Sequence, residues 1–505
     1  MKNNIPKTLR PYIVWALIFL ISTTSLYLGG AYNFCYLEQW QTFIYNSSYL
    51  TDTLLQPGGL VQLAAAFLIQ FFIHPLTGIL ITAALLSTVF ICIAHLLSRW
   101  TGNNHLTPAA IFPVIALGFL HYNTNYLYAG SIAFLLMLIV LAIQLRIQSY
   151  TVRWVYSLVC TILLFIAAGP ITTLYILLVC IIEAFHSPKK GLAYLPLIGV
   201  VFLMAQCSLW WGYFGEWKHA LCPDGYFTLR LQAGSIIYLP WAITLGVFLI
   251  AGIYRLFRKQ SQSASKILWA IQCIAAGLFL YQGGSQYLSA ENETFKELNY
   301  HIRHEQWDEI ISLDKEKRMI NVLHQNCLNL AFAEKGCLIK ELGRQPNIGL
   351  HSLFIGGNKT PYISGLLNDI YYSMGHMAFS QRYAFEANES MGGYSPKLLK
   401  RLVQTSLVYG NYKLALKYIQ ILEQTLFYQE WAKAHRAFLY NDSLLEADPI
   451  LGPKRRCIFP DNRFAGSLGL DKDLEEILKQ NPTHTSTEQY LKAIELFTDK
   501  IPPKP

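Results

Sequence analysis

Acidic side chains are nearly missing from the start of this chain: Glu38 and Asp52 are the only two in residues 1–182. Residues 1–284 carry 14 Lys/Arg and 5 Asp/Glu, whereas residues 285–505 carry 26 of each. The overall net charge of +9 therefore sits entirely in the first part. That placement excludes a nucleic-acid surface, which would gather its basic residues on a water-facing domain. Other signatures are missing too. There is no P-loop, no GxSxG and no HExxH, so the common nucleotide, serine-hydrolase and zinc-protease motifs are excluded. The ten cysteines show no CxxC and no Cys/His metal spacing. No metal site is expected, and no pattern names a cofactor. Cys327 and Cys337 are close enough in sequence to be a candidate pair.

What is abundant is apolar surface: the hydrophobic fraction is 53% and the mean hydropathy +0.30, above the range of ordinary soluble domains. Apolar runs predict about nine spans, near 12–31, 76–98, 107–121, 127–145, 153–168, 170–185, 193–213, 235–256 and 266–282. Each must be helical, because hydrocarbon offers backbone groups no water. The run 59–73, ending at His74-Pro75, is too short to cross and reads as a non-spanning helix on the outer face. If the N-terminus is cytoplasmic, Lys2, Lys7, Arg10, Arg99, Arg146, Arg153, Lys189, Lys190, Arg255, Arg258, Lys259 and Lys266 share that side. Only Lys218 and Arg230 face the other. This bias predicts a retained first anchor and an extracytoplasmic C-terminal half, periplasmic in the inner membrane of a Gram-negative bacterium.

From about residue 294 the pattern becomes short amphipathic helices. "EQWDEII", "YYSMGHMAFSQRYAFEANE" and "SPKLLKRLVQTSLVYGNYKLALKYIQILEQTLF" place apolar residues at helical spacing around tight turns. In the last, Pro396 opens a helix, Gly410-Asn411-Tyr412 turns the chain, and Ala415, Ile419 and Leu422 line the second helix. These stretches resemble tetratricopeptide (TPR) repeats, which implies an α-solenoid able to bind protein partners. The Gly- and Asn-rich insertion 342–365 reads as a covering loop. The expected fold is thus all-α: a polytopic membrane domain over 1–284 and a TPR-like solenoid over 285–505.

The opening loop then invites chemistry. "LEQWQTFIYNSSYLTDTLLQPGGLVQLAAAFLIQFFIHP" supplies Glu38, Asp52 and the non-spanning helix, in that order, just after the first span. This order resembles GT-C glycosyltransferases, multi-pass enzymes that use lipid-linked sugars. The resemblance implies Glu38 as the base, with Asp52 beside it, and a polyprenyl-linked sugar as donor; the paired acidic signature of most members is absent here. Lys218, His219, Arg230 and Trp217 in the outer loop are the expected donor-binding groups, and the Pro57-Gly58-Gly59 turn offers free N–H groups to an anion. The plain reading of Glu38 is a solvated loop carboxylate, and of Asp52 a helix N-cap. The alternative function is a non-enzymatic, membrane-anchored scaffold that recruits envelope proteins through its TPR-like half. A transporter ranks third, because Glu183 is the one intramembrane carboxylate and lies near a span end. The whole plan is also similar to a family of bacterial multi-pass membrane proteins for which no activity is known.

Overall fold

In the computed structural model, the described residues are 10–228, 232–257, 262–344, 349–358, 360–459, 466 and 469–498. Among them the chain is helical, and the β structure is a single antiparallel bridge between Tyr126 and Phe227. Two compact units form: residues 1–34 with 46–289, and residues 35–45 with 290–505. Arg230, Lys2, Lys7, Arg258 and Lys259 lie outside the described residues, as does the side chain of Arg10.

The first unit contains six helices long and apolar enough to cross a membrane: Pro11–Gly30, Pro75–Thr101, Tyr150–Ala168, Pro188–Trp210, Ser235–Leu256 and Lys266–Tyr287. Of the nine expected spans, six reach that length. Three of the apolar runs fold as the shorter helices Thr107–Leu120, Ala129–Gln144 and Ile171–Ala184. Helices of 16 and 14 residues reach only about 21–24 Å, against a hydrocarbon core of about 30 Å. Their side chains are instead spent on one another and on Pro75–Thr101. Met137, Leu138, Leu141, Leu174, Leu178 and Val179 are all fully buried in one apolar cluster. The Gly59–Ile69 helix is short, as its composition predicts.

Basic residues of this unit meet at helix ends. Arg153 pairs with buried Glu183 at 2.9 Å and also donates to the Ile147 and Gln148 carbonyls. Arg255 approaches His186 at 3.5 Å, and Arg99 donates to Leu145 O. At other helix ends the aromatic loop 121–128 joins the 224–228 stretch through Leu127 N to Tyr226 O and Thr228 N to Asn125 O, both 2.9 Å.

The second unit repeats one device. Four helix pairs turn with the same hydrogen bond, from the N–H of residue i+5 to the carbonyl of residue i. The acceptors are His301, Phe332, Tyr371 and Ser406, and the donors Gln306, Cys337, His376 and Asn411, each 2.8–2.9 Å away. The residue before each donor has positive φ: Glu305 at 54°, Gly336 at 70°, Gly375 at 76° and Gly410 at 70°. The turns recur at intervals of 31, 39 and 35 residues. They join Ala290–Arg303 to Trp307–Lys317, Val322–Glu334 to Leu338–Leu342, Pro361–Ser373 to Met377–Ser390, and Pro396–Val408 to Tyr412–Glu423. Ser395 caps the last pair, Pro396 occupies the first helical turn, and Ala415, Ile419 and Leu422 are buried. The 342–365 insertion docks through Asn326, whose amide donates to His351 O and Ser352 O and accepts from Ile355 N. Cys327 and Cys337 form no disulfide with each other and stay as thiols.

Candidate functional site

The opening-loop carboxylates separate. Glu38 belongs with the second unit and Asp52 with the first. Asp52 is exposed within the Ser47–Leu54 helix. It is not the N-cap: Asn46 takes that role by accepting from Ser48 N. The reason is position, since an N-cap must precede the first turn. In the 210–228 loop, Trp217, Lys218 and His219 share the short helix Trp217–Leu221, and Lys218 faces Glu216 at 3.5 Å on an exposed surface. The Gly58-Gly59 N–H groups are not open to an anion. They donate to Ile166 O and Gln56 O at 2.8 and 2.9 Å.

Glu38 is not solvated; its side chain is fully buried. The segment 35–45 threads into the apolar cluster of the second unit, where Tyr36 and Trp40 pack with Leu398, Leu402 and Leu422. Ser395 Oγ donates to Gln39 O, and Tyr45 N to Gln424 O, both at 2.7 Å. Within that seat Arg303, the last residue of its helix, donates to Glu38 Oε2 at 2.6 Å. The Tyr428 hydroxyl donates to Glu38 Oε1 and accepts from Arg303. Burial works against the Arg303 charge, but the neighbouring carboxylate overrides it and holds the guanidinium above its usual pKa. Burial, then Glu38, raise Tyr428 far above a free phenol, so it stays a donor. A carboxylate this deep is stable only because its charge is matched.

Arg303 also borders a cleft of about 310 Å³ that lies wholly within the second unit. Lys397, Lys400, Arg401 and Lys454 add four more cations to its walls, against Glu305, Glu334 and Asp369. Asp369 is engaged on both sides, by Lys397 at 2.7 Å and Arg401 at 3.3 Å. The Arg401 guanidinium lies over Tyr372, 3.4 Å from the ring centre. Lys454 donates to Tyr372 O and approaches His484 Nε2 at 3.0 Å. An ammonium has only donors, so that ring nitrogen is unprotonated. Burial, aided by Lys454, pushes the His484 pKa down to about 3.

Lys400 differs from Lys397 and Arg401, which share Asp369. Its ammonium lies 4.9 Å from the Trp431 ring centre, with no carboxylate in ion-pair contact among the described residues. Burial, and then the charges of Arg303 and Arg401, lower its pKa to about 8. Sequence reading missed this cleft because its cations come from separate helices of an otherwise charge-balanced region. The spacing Lys397-x-x-Lys400-Arg401 was the one local signal, since it places all three near one helix side.

No curated protein and no solved structure matches the chain. A family model described as "Family of unknown function (DUF6057)" matches residues 6–503. With a burial-rich membrane-type unit, a helix-pair unit and nearly every residue inside that match, the chain belongs to the DUF6057 family.

Proposed function

We propose that this is an integral membrane protein whose C-terminal helical unit is a TPR-like binding module for envelope proteins, anchored by the apolar unit. The observation that carries this reading is the fourfold recurrence of the same helix–turn–helix bond, with its positive-φ residue, at near-repeat spacing. Repeats of this kind bury one another's apolar faces and leave a continuous outer surface for a partner. Phe385 and Leu414, on the second helices of the third and fourth pairs, are exposed apolar residues suited to such a surface. The basic bias of the membrane half supports a periplasmic C-terminal unit, and a periplasm-only reporter fused after Pro505 tests it. The binding test is site-specific crosslinking of the full chain in intact membranes. Discrete adducts to envelope proteins should form from wild type and vanish in F385E/L414E while insertion persists. Adducts unchanged by that variant would remove the reading.

A second reading, a GT-C-like transferase using a polyprenyl-linked sugar, is favoured by the element order after the first helix. Glu38 is followed by the short helices Ser47–Leu54 and Gly59–Ile69. Glu38 would be the base, and Trp217, Lys218, His219 and Arg230 would hold the donor. A base must present a free oxygen to its substrate, and here both oxygens are engaged by Arg303 and Tyr428. Glu38→Gln separates the readings. Loss of glycan transfer by a protein that keeps its thermal stability supports the enzyme; loss of stability with no change in envelope glycans supports the structural carboxylate.

A further inference from the structure

We propose that the cleft bordered by Arg303, Lys400, Arg401 and Lys454 is a binding site for one phosphomonoester group carried by a small organic body. The inference goes beyond the binding-module reading and stands whether or not the unit recruits a protein.

Charge accounting leads there. Of the five cations on the walls, Arg303 is matched by Glu38, and Lys397 with Arg401 share Asp369. Lys400 and Lys454 have no carboxylate in ion-pair contact among the described residues. The three groups Lys454 touches, two carbonyls and an imidazole, are all uncharged. Two ammonium groups without a contacting carboxylate, beside a guanidinium that shares its partner, favour an anion here, and Glu305 and Glu334 on the same walls offset part of their charge. A phosphomonoester carries about −1.5 to −2 near neutral pH and offers three acceptor oxygens. A carboxylate offers two acceptor oxygens rather than three. Burial first, and then repulsion from Arg303 and Arg401, depress Lys400, and such a group would relieve the repulsive part.

Shape and rim narrow the class. A volume of about 310 Å³ is at the small end of ligand sites, which run to about 1,000 Å³. Ile302, Trp307, Leu330 and Ile450 supply an apolar wall for the ester's organic part. Glu305 and Glu334 are exposed and would repel any further negative charge. A polyanion such as nucleic acid or polyphosphate is therefore disfavoured, and a single terminal phosphate favoured.

The test is thermal unfolding of the purified full chain in phosphate-free detergent, titrated with glycerol phosphate, with sodium chloride at matched ionic strength as the control. The midpoint should rise saturably with the ester and not with chloride. Lys400→Met should weaken apparent affinity at least tenfold, Lys400→Arg should restore most of it, and Lys433→Gln, outside the cleft, should leave it unchanged. A parallel arm in nanodiscs compares phosphatidic acid with phosphatidylcholine. Stabilisation by glycerol phosphate alone assigns a soluble ligand, and stabilisation by phosphatidic acid alone a lipid headgroup. A rise that chloride reproduces, no rise with either phosphate, or an equal rise in Lys400→Met would each overturn the proposal. Because the scaffold reading is measured by crosslinks and this one by ligand-induced stability, either can fail without the other.

Discussion

The two units bury charge on different terms. Among the described residues the membrane-type unit buries two acids: Glu183, beside an Arg153 that also holds two backbone carbonyls, and Asp224, which accepts from the Tyr238 hydroxyl. The C-terminal unit buries Glu38, Asp369 and Asp473 and engages each from another helix or segment: Arg303, Lys397 with Arg401, and His376. In the first unit apolar packing carries the fold and charge is confined to helix ends. In the second, packing is shared with polar keys that fix which helix meets which. The difference follows from surroundings. A unit with apolar surface on all sides gains nothing from exposed charge, whereas a unit made of short amphipathic helices needs register, which a matched buried pair can specify.

The largest break should come from Glu38→Ala, which leaves the partly buried Arg303 without its carboxylate. We expect a loss of about 3–5 kcal/mol, read as a lowered midpoint by proteolysis of the C-terminal unit. Glu183→Ala should cost less, because Arg153 keeps its two backbone carbonyl acceptors. Equal losses would erase the contrast between the units.

Acid should act next, and on the C-terminal unit. His484 has a folded pKa near 3 against an ordinary 6.5, so the unfolded chain binds the extra proton first. Stability is then retained above pH 6.5 and lost as pH falls towards 3, by up to about 1.4 kcal/mol per pH unit. His484→Gln should flatten that slope in a pH series of denaturant unfolding.

The repeated turns offer a finer test. Gly375→Ala puts a side chain at φ 76° with Cys457 Sγ 3.0 Å from the new carbon; a cost of about 1–2 kcal/mol is expected. Glu305→Gly should do the reverse and stabilise by up to about 1 kcal/mol, since Glu305 already bears a left-handed backbone. The smallest effect belongs to the exposed pair Arg436–Glu423. Glu423→Ala should change stability by no more than about 1 kcal/mol.

Much of this was legible in residue order. The turns at Gly410 and Gly375 were marked by Gly between amphipathic runs, and the turn before Trp307 by its apolar spacing. The equivalent turn at Gly336 passed unnoticed, because Val322–Glu334 is buried along most of its length and shows no apolar face to read. The fate of Glu38 was not legible. Its partners lie 265 and 390 residues away, and no local pattern joins them. Whether three short apolar helices span was not legible for a related reason, since apolar residues satisfied by neighbouring helices look the same in sequence as those satisfied by lipid.

Residue order alone therefore decided the helical character, the split between a charge-poor and a charge-balanced part, and the positions of most turns. Those properties depend on composition and on contacts a few residues apart. Only the tertiary structure decided that the 35–45 segment belongs with the C-terminal unit, that Glu38 is a matched buried carboxylate, and that cations from three helices face one cleft. Such pairings are set by which distant surfaces pack together, and that choice is made by the whole chain's burial.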